Sequence, residues 1–465
     1  MKVNIRPKHK AAYTLLQEGT LALSQATENG IAIDMDYCLA KDKHLTRQIR
    51  RRRERLLDTK LAKLWRKYYG TSMNWDSNHQ LADIIYKRMG HEAKVFTENG
   101  NPSTSQNALE ALGLPEIDDL IAVDRLQKAK GTFLASIIRE AVQQGDQWFI
   151  HPSFALNTVQ TFRSSSFDPN FHNFPKRIKE IMNIVRRSLI PRHDRLLGEV
   201  DFSGAEIRAA YCYHLDPAMY DELTNPNRDM HRDMAMECYH LTEEQLGPKG
   251  TGCYKTLRHC GKNGFVFPAF YGDYYKSIAE NMWAMIHLDN LKTSDGILLP
   301  EHLATQGIHT QLDFEDHMAE VEHRFWNERF PVYNNWRNTW YRNYLKHGQF
   351  QSLTGFMFKG FMKRNQVINF AVQGSAFHML LWSFIRLTQI ATRERWKTLL
   401  IGQIHDSIVF DFHPDEVDHV LRTAQRVMTE DLPKAWKWIK VPLEVEADVG
   451  PVNGSWNTAK EYPIQ

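Results

Sequence analysis

The chain has 465 residues, 42% of them apolar and 11% aromatic, enough to bury several packed subdomains and too apolar for intrinsic disorder. Lys and Arg number 58 against 55 Asp and Glu, a formal net charge of +3, so the overall charge points to an anionic partner only where basic residues cluster. Five cysteines without CxxC or Cys/His spacing exclude a disulfide framework and a structural zinc site, and fit a reducing cytoplasm.

The N-terminal MKVNIRPKHK lacks the apolar stretch of a signal peptide, and no run reaches the roughly 18 apolar residues of a membrane helix. A soluble cytoplasmic protein is expected. Residues from about 11 to 150 read mostly as helix: an opening helix to Glu28, the strand-like IAID after Gly30, then a long basic helix. Within it, residues 47–67, RQIRRRRERLLDTKLAKLWRK, gather ten Lys or Arg against Glu54 and Asp58. Leu45, Ile49, Leu56, Leu57, Leu61 and Leu64 recur at helical spacing and leave the arginines on other faces. Such a run is a solvated face or an anion-binding surface. DSNHQLADIIYKRMG predicts a helix capped by Asp76 or Ser77, and NPSTSQNALEALG begins another after Pro102.

Between 185 and 211, RSLIPR and RLLGEVDF turn strand-like before helix resumes. The stretch from about 211 to 345 is largely helical and rich in Tyr and Trp; from 396 strands dominate in KTLLIGQIHDSIVFDF and VPLEVEADVG. No internal repeat or long linker interrupts the chain, so its subdomains interlock. Helices flanking a few strands that are distant in sequence predict an α+β architecture with an antiparallel sheet.

Two carboxylates stand out. Asp201, in VDFSGAEIR, ends an apolar strand-like run just before a helix, where an ionised group is costly unless a cation or a donor meets it. Ser203 and Glu206 have the spacing of a capping box, which accounts for them without chemistry. Asp406 lies in LLIGQIHDSIVFDF, where two apolar runs flank His405, Asp406 and Ser407 as in a tight hairpin; taken alone it is a polar turn. Taken together, carboxylates on adjacent strand ends can hold two divalent cations about 4 Å apart for in-line phosphoryl transfer. Magnesium takes oxygen ligands and keeps waters and substrate phosphates, so two aspartates and a carbonyl such as that of Phe202 suffice.

These residues resemble the family A DNA polymerases. VDFSGAEIR is similar to motif A, usually DYSQIELR, and IHDSI to motif C, usually HDE. RHCGKNGFVFPAFYG resembles the motif B helix of the fingers, with an arginine, a lysine four residues later, an aromatic and a terminal YG. TFRSSSFDPNFHNFP at 161–175, RDMHR at 228–232, INFAVQGSA at 368–376 and VPLEVEADVG with Trp456 resemble further family segments in the same order; ENGIAID, SNHQL and GNPSTS resemble the thumb.

The resemblance covers nearly the whole chain and implies a right-hand fold of thumb, palm and fingers. Residues 1–150 would be the thumb with an adjoining palm segment, 151–210 palm with motif A, 211–345 fingers with motif B, and 346–465 palm with motif C. A chain that begins almost at the thumb is expected to lack proofreading and 5′-nuclease domains, in the style of a bacteriophage enzyme.

The implied activity is template-directed addition of dNTPs to a primer 3′-hydroxyl. Asp201, Asp406 and the Phe202 carbonyl would hold two Mg²⁺ ions. Arg258, Lys262 and His231 would face the nucleotide phosphates, and Glu206 would exclude a ribose 2′-hydroxyl while pairing with a fingers aromatic. Arg163, Asn369, Gln373 and His405 would touch the minor groove or primer terminus, where degenerate acceptors report pairing geometry without sequence. Arg51 and Arg52 of the basic helix would bind duplex phosphates in a salt-sensitive way. The implied partners are primer-template DNA, dNTPs and a separate exonuclease or processivity chain, with no membrane.

Three departures matter. Lys262 to Tyr271 spans nine residues where the family pattern has eight, so the helix must bulge near Pro268. The stacking aromatic is then Phe267 counted back from Tyr271, or Phe265, or Val266 counted forward from Lys262; Phe267 with Tyr271 is the preferred register. Ser407 stands where motif C usually has glutamate, and Phe162 where the family usually has glycine. The rival reading, motivated by Ser407, is a catalytically silent DNA-binding subunit of a replication complex.

Overall fold

The computed structural model describes residues 10–93, 96–97, 100–110, 112–175 and 178–464. They form two compact units interleaved in sequence. The first takes the described residues up to Lys43 together with Lys128–Asn225 and Phe330 onward; the second takes His44–Gln127 and Pro226–Arg329. Each unit is thus assembled from stretches well separated in the chain. In the second unit helix Tyr275–Leu288 packs on helix Gln106–Glu110, although they lie far apart in the chain.

The first unit is built on a five-stranded antiparallel sheet of β1 (Leu196–Phe202), β2 (Leu399–Ile404), β3 (Ser407–Phe412), β4 (Val445–Val449) and β5 (Lys460–Glu461), in the spatial order β5-β4-β1-β3-β2. Side chains alternate across it. Val200 and Phe202 of β1 join Ile408, Phe410 and Phe412 of β3 and Ala447 of β4 in the main core, which also holds Leu380, Leu381 and Phe384 of the long helix Arg364–Glu394. Glu199 and Asp201 leave β1 on the opposite face. The helix α1 (Lys10–Asn29) packs on β2 and on the long helix, and strand Ile31–Ile33 pairs with Gln147–Ile150.

The long helix corrects one expectation: by length and composition it is apolar enough to cross a membrane. However, 78% of its most apolar window is buried inside the protein, as expected of a helix that is hydrophobic on all sides and forms a core.

The basic run is also corrected. It is broken rather than continuous, since helix Met35–Leu57 ends and helix Lys60–Tyr69 restarts at Thr59, whose side chain caps Ala62 N–H. Ser77 is the N-cap of helix Asn78–Ala82, as one of the two predicted alternatives. RSLIPR forms no strand; Leu189 makes an isolated bridge to Ile33.

Candidate active site

Sheet register brings the two aspartates together. Asp201 pairs directly with Ser407 across β1 and β3, and Phe202 N–H donates to the Asp406 carbonyl at 3.2 Å. Asp406 occupies the two-residue turn between β2 and β3 with His405, which takes φ 57°. Both aspartates thus lie at adjacent strand ends beside the Phe202 backbone. Among the described residues no cluster of three or more His, Cys, Asp or Glu side chains forms a metal cage. This donor set of two carboxylates and a carbonyl suits a hard cation that completes its shell with water and substrate oxygens.

The predicted capping box does not form. Ser203 N–H is tied to the Glu444 carbonyl at 2.9 Å, so helix α3 (Ala205–His214), which follows helix α2 (Lys179–Arg187) and β1 in the chain, starts one residue later, at a left-handed Gly204 with φ 61° and no side-chain cap. Glu206 is left to accept a 3.0 Å bond from Arg163 Nη1. Arg208 anchors the same loop: its Nε donates to the Ser203 carbonyl at 2.9 Å and its Nη2 to Glu444 at 2.7 Å.

Phe162, in the glycine position, adopts φ 57°, a left-handed conformation that costs a side-chain residue energy. Its ring packs between Phe356 and Phe358 at 4.9 and 5.0 Å, and its carbonyl lies 3.1 Å from His378 Nε2. His378 Nδ1 lies 2.7 Å from Thr354 Oγ1, and burial pushes this imidazole down to about 3. Gly374 of INFAVQGSA lies so close to this segment that a Cβ would stand 2.6 Å from the Thr161 carbonyl. Asn369 and Gln373, one turn apart on the long helix, are both half-buried. Behind motif C, the buried Gln403 amide contacts Ser164 Oγ and lies 2.6 Å from His172 Nε2. Burial, then the neighbouring His405, takes His172 down to about 4.

In the second unit, helix α4 (Met230–Tyr239) is capped by Asp229, whose side chain accepts from Arg232 N–H. The motif B segment is helix α5 (Gly252–Cys260), a π-helical turn at Gly261–Val266, and helix α6 (Phe267–Tyr271) with Pro268 in its first turn. Phe267 N–H reaches back five residues to the Lys262 carbonyl, so the π-turn absorbs one extra residue. Pro268 follows directly in the same continuous helix and contributes no N–H of its own to it. Helices α4 and α5 meet at Gly261, where a Cβ would stand 2.5 Å from the His231 carbonyl.

The bulge separates the candidate aromatics. Phe265 and Val266 are fully buried, with Phe265 against Phe325 at 5.1 Å. Phe267 is half-exposed. Its ring lies 5.0 Å from Lys262 Nζ, 5.9 Å from the His231 ring and 6.0 Å from Tyr271. Burial, followed by the charges of Arg258 and Lys262, pushes His231 down to about 4, so it is a neutral ring near pH 7. Its Nδ1 is buried without a hydrogen-bond partner among the described residues. Arg258 Nε donates to Asp229 at 2.7 Å.

The sequence profile of DNA polymerase family A matches residues 43–286 and 303–457. The chain belongs to DNA polymerase family A. It is 24% identical over 448 residues to DNA polymerase I of Bacillus subtilis (strain 168), covering 95% of this chain and 45% of that protein. With the DNA polymerase of Bacillus phage SP01 it is 22% identical over 403 residues, covering 82% and 40%. The chain thus spans less than half the length of these curated relatives. Among solved structures, the POL domain of Pol1 from M. smegmatis, in complex with DNA primer-template and dNTP, matches with a TM-score of 0.73 at 20% identity, covering 95% of this chain and 70% of that one. The shared feature is the polymerase-domain fold.

Within this family A chain, three groups of predicted residues come together: Asp201, Phe202 and Asp406; Arg163 with Glu206; and His231, Lys262, Phe267 and Tyr271. Two predicted cations are engaged elsewhere. Arg258 pairs with Asp229, and Arg52 bonds Asp119 at 2.5 Å beside Arg55 at 2.6 Å, while Arg51 is exposed. Sequence reasoning missed Asp229 and Arg208. An aspartate opening a helix in RDMHR was a legible cap signal; nothing local marks Arg208.

Proposed function

We propose that this chain is a DNA-directed DNA polymerase that extends a primer 3′-hydroxyl with dNTPs on a DNA template. The observation that carries the reading is the juxtaposition of Asp201 and Asp406 on adjacent strand ends, joined through the 3.2 Å bond from Phe202 N–H to the Asp406 carbonyl, in a member of DNA polymerase family A. Asp201, Asp406 and the Phe202 carbonyl would hold two Mg²⁺ ions. When bound, the ions activate the 3′-hydroxyl and neutralise the triphosphate and the leaving pyrophosphate.

The chain's own residues position and discriminate. Lys262 and Arg258 supply cationic donors for phosphate oxygens, with Arg258 exchanging Asp229 for the nucleotide. His231, neutral and with no hydrogen-bond partner at Nδ1 among the described residues, supplies a hydrogen-bonding nitrogen rather than a charge. Phe267 offers the stacking face, with Tyr271 beside it, because Phe265 and Val266 are spent on the core. Glu206, oriented by Arg163, excludes the ribose 2′-hydroxyl. Asn369, Gln373, His405 and Arg163 read pairing geometry, and Arg51 contributes a phosphate contact. Primer-template DNA, dNTPs and a separate exonuclease or processivity chain are the proposed partners. The proposed location is the cytoplasm of a bacterial or phage-infected cell, supported by relatives from Bacillus and a Bacillus phage and by five free cysteines.

Primer extension with Mg²⁺ and dNTPs, comparing wild type with Asp201→Ala and Asp406→Ala, tests the reading. Each substitution is expected to slow incorporation on the order of a thousandfold while primer-template binding is retained. A wild-type chain that binds primer-template yet adds no nucleotide would instead be the silent DNA-binding subunit that Ser407 suggests.

A further inference from the structure

Glu199 is a carboxylate that no motif assigns. It precedes Asp201 by two residues on β1, so both side chains leave the same non-core face of the sheet. Its cross-strand partners are Val409 on β3 and Asp448 on β4, yet its carboxylate reaches diagonally out of that row. Oε2 accepts a 2.8 Å hydrogen bond from Ser407 Oγ, the residue directly opposite Asp201. The same hydroxyl has the Ile404 carbonyl as an alternative acceptor at 3.0 Å. Arg186 of α2 stands 3.8 Å from Oε1, with its guanidinium over the Trp456 ring at 4.5 Å.

The Glu199 side chain is only 9% exposed, and a buried ion pair is a poor source of stability when an apolar pair would fit. Leu197 and Val409, buried on the same face, show that apolar side chains do fit there. A carboxylate at this point therefore calls for a role besides packing. The turn carrying Asp406 has Ser407 where motif C usually carries a carboxylate, and Glu199 brings one to the Ser407 hydroxyl from the neighbouring strand.

We propose that Glu199 is a positioning residue for the cation site: it supplies from β1 the negative charge absent at Ser407 and strengthens the hold of Asp201 and Asp406 on divalent cations. The Ser407 hydroxyl and the Arg186 guanidinium keep its carboxylate in place. Removing the charge leaves the Arg186 cation uncompensated beside the strand that carries Asp201, which disfavours a nearby cation. This inference rests on the polymerase reading.

The test is Mn²⁺ binding to the full chain on primer-template DNA, followed by electron paramagnetic resonance, together with the Mg²⁺ dependence of single-nucleotide incorporation. Glu199→Gln keeps the shape and an acceptor for Ser407. It is expected to weaken Mn²⁺ binding about tenfold or more and to raise the Mg²⁺ needed for half-maximal rate by a similar factor, while the KM for dNTP at saturating Mg²⁺ is unchanged. The exchange Glu199→Ser with Ser407→Glu returns the carboxylate to β3 and is expected to recover Mn²⁺ affinity. If Glu199→Gln lowers only the melting temperature and leaves Mn²⁺ affinity and Mg²⁺ demand at wild-type values, Glu199 is a structural partner of Arg186 and the proposal is overturned. Asp201→Asn with Asp406→Asn separates the two readings. Wild-type Mn²⁺ binding no better than that of this variant sinks the polymerase reading and the proposal with it; binding that depends on the two aspartates but not on Glu199 sinks the proposal alone.

Discussion

In the first unit Asp201 and Asp406 are held by sheet register, whereas in the second unit Lys262, Phe267 and Tyr271 are held on a helix that has taken in an extra residue. The strand side chains alternate with a period of two, so a slip of one position would send Asp201 into the core and Val200 and Phe202 out of it. The helix has a softer response. At Gly261–Val266 the backbone bonds lengthen from four residues to five, and Lys262, Phe267 and Tyr271 still meet on one face. The proposed metal ligands therefore sit where a change of register reverses every side chain, and the proposed nucleotide contacts on a helix that has taken in a residue and kept its face.

A pair of single-residue deletions breaks this comparison most severely. Removing Val200 from β1 is expected to abolish folding, since it exposes Phe202, worth about 2 kcal/mol of burial, and drives Asp201 toward the apolar core. Removing Asn263 from the π-turn is expected to leave a folded chain with ordinary helical bonding and a raised KM for dNTP, because Phe267 turns relative to Lys262. Circular dichroism melts of the two variants decide it; equal loss of structure in both would overturn the contrast.

Substitutions in the second unit sharpen it. Lys262→Ala removes the proposed phosphate donor and the cation over the Phe267 ring, and is expected to raise the KM for dNTP by roughly tenfold to a hundredfold, in line with the 1.5–3 kcal/mol of a charge-assisted hydrogen bond. Single-turnover kinetics should show DNA affinity unchanged.

Acid sensitivity is expected to follow the buried imidazoles of the first unit. His378 takes a proton near 6.5 when unfolded and only at about 3 when folded. Between those pH values the unfolded chain binds the extra proton, so stability is intact above 6.5 and is lost as pH falls toward 3. The loss from this group is on the order of 5 kcal/mol. Urea melts from pH 7 to 4 should be flatter for His378→Gln than for wild type, and identical slopes would refute the assignment.

The smallest effects belong to the basic helix. Arg51→Ala is expected to weaken duplex binding evenly across sequences and to lower the salt slope by about one. Arg52→Ala is expected instead to cost up to about 1 kcal/mol of stability through its half-exposed pair with Asp119, with little change in the salt slope.

The motif-bearing strands and the hairpin around Asp406 were legible because alternation and turn chemistry are local. The Ser203 and Glu206 capping box was misread because its local signal competes with the Ser203 backbone bond to Glu444, a residue just before β4 and more than two hundred positions away. The basic run read as one helix because no Gly or Pro marks the restart at Thr59, which depends on a side-chain cap. The bulge was legible as a counting mismatch against the family pattern. Its location in Gly261–Val266, and the consequent burial of Phe265 and Val266, required packing against Phe325.

By itself the sequence determined the family, the order of the motifs, the polar face of β1 that carries Asp201, and the turn that presents Asp406. Those features follow from residue type and short-range period. Only the tertiary structure decided the partners: Arg258 with Asp229, Glu206 with Arg163, Arg52 with Asp119, and Glu199 with Ser407. Pairing among charged and polar side chains is settled by which segments burial brings together, and segments so far apart in the chain carry no local mark of their meeting.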